Sequence, residues 1–230
     1  MPYGKKNKQS SSELFSVRTV VAIGIGTALI FILKRWVSIP TGFPNTNIDT
    51  SYGFLGFMSV LFGPVAGFIM GFLGHALNDF TQYGTPWWTW VVTTGLVGGV
   101  IGLFWKRLDV SKGDFGKKKL IGYNVVSGLT NLVAWAAIAP TLDVLVYSEP
   151  ANKVYIQGLI SAVSNVISGA VIGSILLAAY AASRTRSGSL KKRRLALLTG
   201  GRHQALRQNA SSTPITHCGA RRSRLAPHLL

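Results

Sequence analysis

Apolar residues in this chain come in long blocks separated by short polar stretches, a pattern unlike the alternation of half-buried strands or the one-sided stripe of soluble helices. At 1.5 Å rise per residue, a block of about twenty residues crosses the roughly 30 Å hydrocarbon layer of a membrane. The pattern predicts an all-α membrane protein, a bundle of six transmembrane helices. The first helix is expected over 17–37, followed by an ordered loop over 39–47. Residues 54–80 read as one span or as a tight hairpin broken at Gly63-Pro64, where proline suits the first turn of a new helix. Further helices are expected over 87–105, 120–139 (ending before Pro140) and 153–182, with outer loops at 38–51, 79–86 and 141–152.

Composition supports this reading and excludes an ordinary soluble enzyme: 48% of the residues are hydrophobic, only 13% are charged, and mean hydropathy is +0.33. Charge placement then fixes topology. Of the 24 Lys and Arg residues, 21 lie before residue 19, between 106 and 119, or from 184 onward. If both termini and the middle loop share the cytoplasmic side, the chain follows the positive-inside bias. That arrangement needs the hairpin at Gly63-Pro64. A helix over 52–62 is only about 17 Å long, so it must start earlier or be shielded by protein. The net charge of +17 therefore reports topology rather than a nucleic-acid surface, which would show a basic stripe interleaved with aromatics. A single cysteine, Cys218, excludes an internal disulfide. Lys34, Arg35 and Trp36 follow the first apolar block without a small-residue cleavage site, so this block reads as a retained helix. The expected division is a cytoplasmic N-terminal tail (1–16), a six-helix transmembrane domain (17–183) and a basic C-terminal tail (184–230), which is expected to be disordered and carries no part of the functional reading.

Four groups of residues are candidates for function. Small residues four apart (Ala22 and Gly26, Gly67 and Gly71) form flat stripes on which a second helix can pack closely, within the bundle or from a partner. Asn131 and Trp135 at i, i+4, with Asn165 and Gln157 on the last helix, bring amides and an aromatic ring to membrane depth; they either bridge helices or bind a small planar polar molecule. Trp87, Trp88 and Trp90 read as interface anchors, with Trp88 a candidate for ligand stacking. His75, Asn78 and Asp79 fall within about one helical turn and can carry a proton, bind a metal or cap the helix end, the structural or loop-ordering role being favoured, and Asp143 and Glu149 read as loop acids that are solvated or that gate or contact ligand. No phosphate-binding Gly-x-x-x-x-Gly-Lys-[Ser/Thr] loop, nucleophile elbow or intramembrane carboxylate relay is present. Catalysis and self-powered transport both lack their parts.

The runs Thr19-Val-Val-Ala-Ile-Gly-Ile-Gly26, Val37-Ser-Ile-Pro-Thr-Gly42, Pro44-Asn-Thr-Asn-Ile48, Gly74-His-Ala-Leu-Asn-Asp79, Ala139-Pro-Thr-Leu-Asp143 and Tyr147-Ser-Glu-Pro-Ala-Asn-Lys153 resemble substrate-binding S components of energy-coupling factor (ECF) vitamin transporters. More narrowly they resemble the hydroxymethylpyrimidine/pyridoxine-type subfamily, over about residues 16–194. The resemblance implies a multi-pass subunit of a bacterial cell membrane that captures a small heteroaromatic vitamin near the outer surface. It implies that Ala22 and Gly26 dock a transmembrane T component, and that two cytoplasmic ATPases hydrolyse the ATP, leaving this chain without a cofactor or metal. It also implies Asn131, Trp135 and Asn165 as ligand contacts, with Asn45, Asn47 and Tyr52 closing a lid. Two competing readings are a stand-alone channel or facilitator, which predicts flux from this chain alone, and a non-transport scaffold or membrane enzyme, which predicts no solute binding or a product.

Overall fold

The computed structural model describes residues 16–42 and 46–185. The N-terminal tail up to residue 15, Asn45, and the C-terminal tail from residue 186 with Cys218 lie outside the described residues. Six helices form the bundle: α1 (Val17–Trp36), α2 (Ser51–Phe62), α3 (Pro64–Tyr83), α4 (Trp88–Leu103), α5 (Lys117–Tyr147) and α6 (Ala151–Thr185). By length and composition α1, α5 and α6 can each cross a membrane, and α2 and α4 are shorter apolar helices. Between α1 and α2 the chain makes a small antiparallel ladder of β1 (Ile39–Pro40) and β2 (Asn47–Ile48), with Ile39 opposite Ile48.

Local signals set the helix ends. The Ser16 hydroxyl accepts the Thr19 N–H at 3.2 Å and caps the start of α1. The hairpin at Gly63-Pro64 forms as expected. Gly63 takes φ +85°, a region open mainly to glycine, and Pro64 opens α3 with no N–H to satisfy. The short α2 solves its length problem by burial. Eight of its twelve residues are buried, so most of its surface meets protein rather than lipid.

Glycines let the helices approach. A Cβ on Gly67 would lie 2.5 Å from the Gly98 carbonyl oxygen, and one on Gly71 2.8 Å from that of Thr94, so α3 and α4 touch backbone to backbone. Gly26 faces Met70, and Gly74 faces Ile30, which joins α1 to α3. Ile30, Leu55, Met70, Ile101, Tyr123 and Leu177 lie in the core that results.

One expectation is corrected. The fifth helix does not stop before Pro140 but continues to Tyr147 through a π-turn at Ala134–Ile138, where the Ala139 N–H reaches back to the Ala134 carbonyl. A proline lacks an N–H and crowds the carbonyl four residues back; the wider turn just before it lets the helix pass. The outer loop expected over 141–152 therefore shrinks to 148–150, turned by Ser148 at φ 55°, and Asp143 sits on a helix, 2% exposed.

Candidate functional site

A cavity of about 390 Å³ opens at one end of the bundle, and every helix supplies part of its wall. Lys34 ends α1, Tyr52 starts α2, and His75, Asn78 and Asp79 come from the last turns of α3. Trp87 and Trp90 mark the start of α4, Trp135 and Asp143 lie on the C-terminal half of α5, and Lys153, Gln157 and Asn165 line the N-terminal half of α6.

Aromatic rings make one wall. Trp90 and Trp135 lie 5.2 Å apart between centroids at 40°, and Tyr52 meets Trp135 edge-on at 5.3 Å. Their orientation is fixed by hydrogen bonds. Asp143 accepts from the indole N–H groups of Trp87 (2.9 Å) and Trp90 (2.6 Å) and from the Thr89 hydroxyl. Trp135 donates its indole N–H to Asn131 Oδ1 at 3.3 Å, and Asn131 in turn donates to the Ser127 carbonyl at 2.9 Å.

A polar network makes the other. Thr94 gives its one proton to the Trp90 carbonyl at 3.0 Å, leaving its oxygen to accept from the Tyr52 hydroxyl (2.9 Å) and from His75 Nδ1 (2.6 Å). His75 Nε2 then faces Asp79 at 3.4 Å. Asp79 also accepts the Trp87 backbone N–H at 3.0 Å, satisfying a donor at the start of α4, and the Asn78 amide at 3.2 Å. Lys34 pairs with Asp49, which itself accepts the Ser51 N–H at 2.8 Å, and its ammonium lies 4.9 Å from the Tyr52 ring centroid. The pair ties the end of α1 to the chain leaving β2. Glu149 pairs with Lys153 at 2.9 Å.

Two features of this lining point outward to a ligand. Asn78 Oδ1 and Asn165 Oδ1 are buried and have no hydrogen-bond partner, on residues only 5% and 3% exposed. A buried acceptor left empty costs about 1–3 kcal/mol, so a side-chain adjustment that turns either oxygen into the cavity gains a donor from a ligand. The charges are also unequal. Asp49, Asp79, Asp143 and Glu149 line the space against Lys34 and Lys153, so acidic side chains outnumber the lysines there. Among the described residues no three His, Cys, Asp or Glu side chains converge as metal ligands.

Of the residues singled out from sequence, Trp135, Asn165, Asn47, Tyr52 and Asp143 line the cavity. Asn131 does not: it is fully buried behind Trp135 and holds that ring. Trp88 also does not, since it points out of the bundle, 46% exposed, with its ring 6.1 Å from Phe72 and 6.3 Å from Phe80. Lys34 has no site role in the sequence reading, and His75, Asn78, Asp79, Trp87 and Trp90 read chiefly as structural or anchoring residues, yet all six make up much of the wall. The i, i+3 spacing of Trp87 and Trp90, which puts both on one helix face, is the signal that marks them as partners. The docking stripes change too. Gly26, Gly67 and Gly71 are consumed inside the bundle, and Ala22 packs partly against the core. The small residues left on the outer face of α1 are Gly24, where a Cβ would meet nothing within 4 Å, and Ala28.

The fold matches a solved one. It superposes on the S component for biotin from an ECF-type ABC transporter with a TM-score of 0.53 at 18% identity, covering 76% of this chain and 93% of that one. The chain belongs to the ECF-type riboflavin transporter S component family, whose model matches residues 14–182. This is a family of membrane transporter components rather than of enzymes. A UPF0397 protein of Lacticaseibacillus casei (strain BL23) is 71% identical over 177 residues, covering 77% of this chain and 95% of the relative. A UPF0397 protein of Staphylococcus aureus (strain bovine RF122 / ET3-1) is 56% identical over 178 residues, covering 77% and 97%.

Proposed function

We propose that this S component captures a small, donor-bearing heteroaromatic vitamin of the hydroxymethylpyrimidine or pyridoxine type at the outer face of a bacterial cell membrane, and does no chemistry on it. The observation that carries this reading is the pair of unpartnered amide oxygens on Asn78 and Asn165 beside the Trp90–Trp135 wall. A planar ring stacks on the half-buried Trp90 indole, which the buried Trp135 ring backs, while its amino or hydroxyl groups donate to the two oxygens once the amides turn toward it. The volume, about 390 Å³, is at the small end of ligand sites, which run roughly 300–1,000 Å³, and suits one ring better than a fused three-ring system. The excess of carboxylates favours a neutral or cationic ligand over a carboxylate-bearing one such as biotin.

Inward delivery then falls to other chains. A T component docks on the exposed face of α1 around Gly24 and Ala28, and two ATPases supply the work at the side of the basic loop, which the charge bias puts in the cytoplasm with both termini. No cofactor is needed in this chain. Calorimetric titration of the purified full chain tests the ligand assignment. Hydroxymethylpyrimidine or pyridoxine is expected to bind 1:1 without ATP; tight biotin or riboflavin binding, or no binding of any of the four, overturns it.

A further inference from the structure

A second concavity lies between α5 and α6, on the flank of the bundle and away from the vitamin cavity. It is a groove of about 470 Å³ with an almost wholly apolar lining. Its origin is local. The two helices are pinched together at one end by Asn124, whose amide donates to the Ser174 hydroxyl at 3.0 Å, and at the other by Gly158 packed against the Trp135 carbonyl. Between these points Gly128 and Ala162 leave the floor with no more than a methyl group, while Val125, Leu129 and Val163 raise the rims. A Cβ at Gly128 would find only Val166 Cγ1, at 3.9 Å.

We propose that this groove holds one acyl chain of an anionic phospholipid, whose headgroup sits on Lys117 and Lys118. Charge placement carries the assignment. At 100° per residue, Lys118 falls about 50° to one side of the groove's midline on α5 and Lys117 about 50° to the other, with Ile121 between them. Both lysines are exposed, and neither makes an ion pair among the described residues, whereas their neighbour Lys119 is occupied by Asp114 and by the Asp109 carbonyl. The length also fits. From Lys118 to Leu132 the helix rises about 21 Å, and one leaflet of a bilayer about 40–45 Å thick with its headgroups measures the same. The site therefore belongs to the leaflet on the side of the 106–119 loop.

The test uses the full chain reconstituted in nanodiscs of equimolar phosphatidylglycerol and phosphatidylcholine, extracted and weighed by native mass spectrometry. One phosphatidylglycerol is expected to stay on the chain and phosphatidylcholine to leave. Gly128→Leu, which fills the groove, should lose the lipid while still binding vitamin. Lys117→Gln with Lys118→Gln should weaken retention about thirtyfold, at about 1 kcal/mol per lysine. If Gly128→Leu does not fold, Val163→Trp at a 60% exposed position fills the groove from the opposite rim. Equal retention of both lipids, or retention unchanged when the groove is filled, overturns the proposal. So does a Gly128→Leu chain that keeps its lipid but loses the T component, since the groove would then be a protein interface.

Discussion

Asp143 shows how far a side chain's role depends on where its segment ends. As a loop acid it is free to meet ligand, whereas on α5 it is buried and spends its oxygens on two indoles and a threonine. It acts as a positioning residue for the aromatic wall. Asp143→Ala leaves two indole N–H groups without an acceptor, at about 1–3 kcal/mol each when buried. Vitamin affinity is expected to fall by at least tenfold, and tryptophan emission of the free chain to shift; unchanged emission with unchanged affinity refutes the role. Asn165→Leu should behave differently. It removes an acceptor that is empty in the free chain, so the free chain is expected to keep or gain stability while affinity drops by a similar factor. A parallel loss of both would mean that Asn165 is a structural bridge.

Among the elements, the helices were legible because bilayer-length apolar blocks and the Gly63-Pro64 break are written in local composition. The continuation of α5 was not, since the π-turn that accommodates Pro140 depends on α6 closing against it through Gly158. Small-residue stripes shared this limit. Spacing marks a close contact but not the partner, and Gly67 and Gly71 turn to α4 while Gly24 stays open. Lys34 and Asp79 were equally opaque, because a charge near a helix end shows no partner in local sequence until Asp49 or Trp87 arrives from elsewhere in the chain. Two substitutions separate these cases. Gly67→Leu drives a side chain into the α4 backbone and is expected to destabilise the bundle by about 1–3 kcal/mol or more, seen as a lowered unfolding midpoint. Gly24→Leu meets nothing and should leave that midpoint nearly unchanged, within about 0.5 kcal/mol, while abolishing copurification of the T component. Retained copurification would move the docking face off α1.

At the scale of the whole molecule, the described residues form a cavity, and on the proposed reading other chains supply the work of transport. Vesicles containing only this chain are expected to bind vitamin without concentrating it, and uphill uptake should appear only when the T component and both ATPases are added with ATP. Accumulation by the chain alone would make it a transporter in its own right. The cavity also takes at least one side chain from each of the six helices. A solute seated there acts as a keystone across the entire bundle, and the folded state gains about 2.7 kcal/mol when the solute is present at a hundred times its dissociation constant. Heat resistance of the detergent-solubilised chain thus becomes a direct readout of cargo. A panel of candidate nutrients can be ranked by how many degrees each adds, with no transport assay at all.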